Sequence, residues 1–200
     1  MNTLARRAAV VTAALGAAVA LSMSPASAAP HSWAVSPGGD FTAHAELPTL
    51  DVPFAQLVCD SSDVNDGSLD ATSADGVDIG DINNITFTNC NVGGINFDVT
   101  MAASPWHINA VEPNATHTDW VDGTVSDISA HIEGIGCSAD FSGQVYGHYD
   151  NTAGALVIDG SGTDLVASNA SCLGLINDGD VASFNATYVV DPSQTITATS

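Results

Sequence analysis

The sequence predicts an all-β protein, an antiparallel sandwich or a closed barrel, held by two disulfides. Three observations point there. Apolar residues recur at every second position through several short runs, the period of a strand with one buried face. Asp-Gly occurs five times beside these runs, at 66–67, 75–76, 122–123, 159–160 and 178–179. Both residues tolerate the positive φ that tight hairpin turns require. After residue 28 no segment carries the 3.6-residue apolar period of a surface helix.

The first 28 residues stand apart from the rest. Arg6 and Arg7, the only Lys or Arg residues of the protein, precede an apolar run from Ala8 to Met23 and then Ala26-Ser27-Ala28. Charged, apolar and small residues in that order form a secretory signal peptide cleaved after Ala28. The apolar run is shorter than the ~20 residues that span a bilayer. Export to the medium or the cell wall is therefore expected, with 29–200 as one all-β domain.

Within that domain the alternation can be followed in order. Phe41, Ala43, Ala45 and Leu47 are expected on one face of a strand, with Thr42, His44 and Glu46 on the other. The segment 60–81, rich in Asp, Ser and Gly, reads as a solvated loop. Ile85 and Phe87 then form a short apolar face, followed by Ile95, Phe97, Val99 and Met101. The pattern breaks over 110–119, where Glu112-Pro113-Asn114 interrupts it. It resumes with Ile128, Ala130 and Ile132, and again with Phe184, Ala186, Tyr188 and Val190.

Four cysteines in an exported chain imply two disulfides, with three possible pairings. An internal echo selects one of them. Cys59 and Cys137 are each followed closely by Ser and Asp, and Cys90 and Cys172 each precede a Gly-rich apolar stretch. The bracketed separations are similar, 31 and 35 residues. A unit used twice keeps its bridge internal, so Cys59–Cys90 and Cys137–Cys172 are expected, in pseudo-repeat halves of about 29–110 and 111–200.

Charge excludes several classes of partner. Residues 29–200 hold all 23 acidic side chains and no Lys or Arg, a formal charge of −23. Nucleic-acid binding needs Lys or Arg to neutralise phosphates, so it is excluded, and anionic membrane surfaces are disfavoured for the same reason. Such a chain repels itself. Its melting temperature is expected to rise between low and molar NaCl as the repulsion is screened. A melting temperature independent of salt would show that the charges lie too far apart to matter.

Candidate sites follow from residue type and spacing. The carboxylates Asp60, Asp63, Asp66, Asp70, Asp75, Asp78 and Asp81 form a possible calcium cluster, since hard cations select oxygen ligands. Asp63 to Gly67 nevertheless lacks the spacing of an EF-hand loop. His44 with Glu46, and His131 with Glu133, would supply four zinc ligands if their strands were neighbours. Trp33, Trp106, Trp120, Tyr146 and Tyr149 could form an aromatic binding platform. Catalysis has little support. There is no Gly-x-Ser-x-Gly elbow, and no carboxylate pair stands out for glycoside hydrolysis. Calcium is the one cofactor the residues suggest.

Gly38-Gly39-Asp40-Phe41-Thr42-Ala43, Pro105-Trp106-His107-Ile108-Asn109 and Gly136-Cys137-Ser138 carry a resemblance that spans most of the domain. Cys172-Leu-Gly-Leu-Ile-Asn-Asp-Gly-Asp180, Phe184-Asn-Ala-Thr-Tyr188 and Gln194-Thr-Ile196 extend it. Together these stretches resemble uncharacterised secreted β-rich proteins of Streptomyces and related actinobacteria. The resemblance implies export and a β fold, and it carries no catalytic residues. The expected function is a non-enzymatic extracellular or cell-surface protein that binds a ligand or a surface. The alternatives are a secreted hydrolase and a cation-favouring outer-envelope β-barrel with an acidic lumen.

Overall fold

All regular secondary structure among the described residues is β-strand. The structure, a computed structural model, describes residues 31–162 and 164–199. The signal peptide expected at 1–28 lies outside them. The strands begin with β1 (Ser32–Ser36), β2 (Gly39–Glu46), β3 (Thr49–Val52), β4 (Ala55–Val58) and β5 (Ser61–Leu69). Next come β6 (Thr72–Ser73), β7 (Gly80–Thr88), β8 (Cys90–Val92), β9 (Ile95–Met101) and β10 (Trp106–Pro113). Two long strands follow, β11 (Trp120–Gly134) and β12 (Cys137–Asp150). The last four are β13 (Ala155–Asp159), β14 (Leu165–Ser168), β15 (Val181–Asp191) and β16 (Thr195–Thr199).

Several of these are halves of one longer stave. β2 and β3 pair in turn with β5 and β4, and both pair with β15. They therefore form one stave interrupted at Leu47-Pro48. The same holds for β4–β5, β7–β8, β9–β10 and β13–β14. Eight antiparallel staves then follow one another round a ring in chain order, and β15 pairs back to β2 and β3 to close it. Of the two architectures expected, the closed barrel is the one formed. Closure leaves no unpaired sheet edge in the ring.

Each half of the chain supplies four staves, and each disulfide joins the second and third stave of its half. Cys59–Cys90 lies between the paired residues Ser61–Thr88 and Val58–Asn91. Cys137–Cys172 lies beside Ser138 and Ser171, which exchange two backbone hydrogen bonds. Both expected pairings are present.

Three expectations require correction. Segment 60–81 is mostly strand, because β5 fills 61–69 and the connection to β7 is only Asp70 to Ile79. Leu47 is exposed instead of buried: its left-handed backbone (φ 50°) turns it outward and places Pro48 inside. The Asp-Gly pairs at 66–67 and 122–123 lie inside β5 and β11, and the tight turns fall at Pro53-Phe54, Gly93-Gly94 and Ile135-Gly136. At Asp66-Gly67 the ladder shifts register, a β-bulge. Gly67 lies flat against the Phe41 ring, where any side chain would collide with it.

The two ends of the barrel differ. β1 precedes β2, β16 follows β15 and β6 lies in the β5–β7 connection, so the three-stranded sheet β16-β1-β6 covers one end. It buries Trp33, Val35 and Ile196 there. The turns at Pro53-Phe54, Gly93-Gly94 and Ile135-Gly136 mark the other end. Phe54, Ile95, Ile135 and Leu173 are exposed at its tips, and none of these turn residues is charged.

Candidate functional site

Alternation places one face of every stave inside the ring, and those faces do not quite meet. They enclose a cavity of about 120 Å³. Phe41, Val64, Ile85, Trp106, Phe141 and Tyr188, from six different staves, are among the residues that line it. A cavity of ~150 Å³ with a similar apolar lining stays dry and accepts benzene. The space here is of that order.

The lining carries very little polar chemistry. It contains no carboxylate, no imidazole and no free thiol, since its one cysteine, Cys59, is in a disulfide. Its hydroxyls belong to Tyr149 and Tyr188, and both are satisfied by the protein. Tyr188 Oη donates to Ser62 Oγ at 2.9 Å in a buried pair. Tyr149 Oη donates to the Gln194 carbonyl and accepts from its amide, both at 3.0 Å. Burial pushes both phenol pKa values up, which keeps the hydroxyls protonated. The wall thus offers apolar contact and no group that takes up a proton near neutral pH.

Trp106 is the exception. Its side chain lines the cavity and is 5% exposed. Its indole nitrogen is buried and has no hydrogen-bond partner among the described residues. Trp33 has a similarly unpartnered nitrogen, but it packs against Gly76 under the covering sheet and does not line the cavity.

The charged residues are on the outside. His44, His107 and His131 face Asp63, Asp81 and Asp140 directly across neighbouring strands. Each Nδ1 donates to its aspartate, at 2.6, 2.8 and 2.6 Å. The bond from His131, with a second from Asn169, holds the Asp140 carboxyl below the usual range. An acidic lumen is therefore not what this barrel has: the cavity wall is apolar and the carboxylates face away from it.

Of the expected calcium ligands, Asp78 and Asp81 come together at His107 Nδ1, at 3.9 and 2.8 Å, and the others are dispersed. Asp60 accepts from Asn89, Asp63 from His44, Asp75 from the Val77 amide and Asp81 from His107. Asp66 and Asp70 point outward on β5 and just beyond it, and Asp78 lies in the connection to β7. The zinc arrangement required β2 and β11 to be neighbours. β2 pairs instead with β5 and β15, so His44 and Glu46 are separated from His131 and Glu133 by intervening staves. Among the described residues, no group of three or more His, Cys, Asp or Glu side chains is placed to hold a metal ion.

The aromatic platform does not form either. Trp33, Trp106 and Tyr149 are buried, whereas Trp120 is stacked between His117 and His148 with ring centroids 3.9 and 3.8 Å apart. The sequence signal for the cavity was present but unspecific. Trp106 and Tyr188 occupy inward positions of ordinary alternating strands, and alternation does not distinguish a filled interior from a hollow one. No family model, no curated protein and no solved structure matches this chain.

Proposed function

We propose that this is a secreted extracellular binding protein that holds a small apolar molecule inside its barrel. The observation that carries the reading is the cavity of about 120 Å³ with its almost wholly apolar wall. Ligand pockets are typically apolar with a few placed polar groups, and eight-stranded barrels are wide enough to hold one small ligand. Two disulfides and the signal-like residues 1–28 favour an oxidising, extracellular setting. The uncharged tips around Phe54, Ile95, Ile135 and Leu173 offer an apolar molecule a first point of contact.

Thermal unfolding in the presence of benzene or toluene tests this reading. A ligand present at about 100 times its Kd stabilises by ~2.7 kcal/mol, a rise of roughly 5 to 10 °C for a domain of this size. Ala130→Leu adds bulk to the cavity wall and is expected to abolish that rise while the variant stays folded. A melting temperature unmoved by either hydrocarbon, or moved equally in the variant, would remove the cavity as the binding site.

A further inference from the structure

We infer that the ligand of the barrel is a neutral apolar molecule bearing one hydrogen-bond acceptor oxygen, received by the indole N–H of Trp106. The inference rests on the cavity being the binding site. Its own observation is separate: a buried donor without a partner among the described residues, on a side chain that lines an otherwise apolar space; the nitrogen itself is covered, so the ligand's oxygen meets it through a small rotation of the ring.

A buried N–H left unpaired carries the desolvation cost of that group, which is why such groups are rare in folded proteins. Each hydroxyl in the same wall has found its partner, Tyr188 with Ser62 and Tyr149 with Gln194. Among the described residues, Trp106 thus carries the one side-chain donor of the wall that has no acceptor. Water is a poor match for it. A buried water is held by two to four polar partners, and this wall offers one free donor. A molecule that brings its own apolar body and a single acceptor satisfies the indole and fills the space at once.

Charge narrows the class further. No Lys or Arg occurs in residues 29–200, and the outer surface is strongly acidic. A carboxylate or phosphate would have to approach that surface and then lose its water without a counter-ion. A cation would find no carboxylate in the wall. Ketones, esters, lactones and ethers close to benzene in size remain, and fatty-acid anions are excluded.

Cyclohexanone and methylenecyclohexane differ only in an oxygen replaced by CH₂, and so isolate the donor. Binding of each to the full protein and to Trp106→Phe is measured by calorimetry. The indole N–H resonances of the unaltered protein are followed by NMR in parallel. The expected result is that Trp106→Phe weakens the ketone about tenfold, a loss of ~1.4 kcal/mol, and changes the hydrocarbon by no more than about twofold. The ketone alone is expected to move one indole N–H resonance downfield. If both compounds bind but the substitution affects them equally, or no indole resonance responds to the ketone, the donor assignment is overturned and the cavity reading stands. If neither compound binds, both fall. Should the variant not fold, the NMR comparison decides alone.

Discussion

Loss of both disulfides is expected to destabilise the protein by about 7 kcal/mol and to unfold it under conditions where the oxidised form is native. Each bridge closes a ring of similar size, 31 and 35 residues in separation. The chain-entropy relation then assigns about 3.7 kcal/mol to each. Domains of this kind have total stabilities of ~5–15 kcal/mol, so the two bridges together rival the whole. Self-repulsion among 23 carboxylates without Lys or Arg makes the margin smaller still. Urea unfolding of Cys59→Ala/Cys90→Ala and of Cys137→Ala/Cys172→Ala tests each half separately. Comparable losses are expected, since each bridge joins the second and third stave of its half. A loss below ~1 kcal/mol for either pair would show that its unfolded chain is already compact there.

Gly147→Ala is expected to be among the most damaging single-methyl changes in the barrel wall, at about 3 kcal/mol, and the one free of added backbone strain that brings a β-carbon nearest to a carbonyl. Gly147 lies in β12 opposite Ile158 of β13. A β-carbon there would collide with the backbone carbonyl of Val157. A side chain in the way can rotate aside, but a strand backbone moves only by disturbing the ladder on both of its edges. Gly93→Ala is the contrasting control. Gly93 has φ 58° in the turn between β8 and β9, and nothing lies within 4 Å of an added β-carbon. Only the left-handed backbone strain applies there, ~1–2 kcal/mol. Chemical denaturation of the two variants separates collision from strain, and equal losses would refute the packing argument.

Much of the fold was legible because it follows from period and chemistry. Ala43, Ala45, Ile132 and Tyr188 alternate with polar residues in the sequence and are buried in the structure. The cysteine pairing was legible from the echo between Cys59–Cys90 and Cys137–Cys172. β5 was not, because its sequence, Ser-Ser-Asp-Val-Asn-Asp-Gly-Ser-Leu, has the composition of a loop. Two of its four inward positions, Ser62 and Gly67, are small because Tyr188 and Phe41 occupy the interior beside them. The Asp-Gly pairs at 66–67 and 122–123 were misplaced for a related reason. A hairpin turn, the bulge at 66–67 and the close approach of the Asn109 carbonyl to Gly123 all favour glycine, and only the partner strand distinguishes them. The His–Asp pairs depend on register between strands, which no local pattern encodes. The cavity depends on volumes summed over eight staves, so it was the least legible feature of all.

The interruptions in the staves fall beside one another. Leu47, Asp60 and Asn89 break three successive staves, two of them through left-handed backbone. On the far side the β9–β10 break, the register shift beside Asp127 in β11, Gly143 with its positive φ in β12 and the β13–β14 break follow one another round the ring. Backbone hydrogen bonds bridge this line, from Leu47 to Asp60, from Asp60 to Thr88 and from Ala102 to Ser129, so it is a seam of altered register and not a gap. The wall therefore stays paired round its waist even where the regular ladder lapses. Cys59–Cys90 sits on that seam like a rivet, fastening two neighbouring staves at the point where both are interrupted.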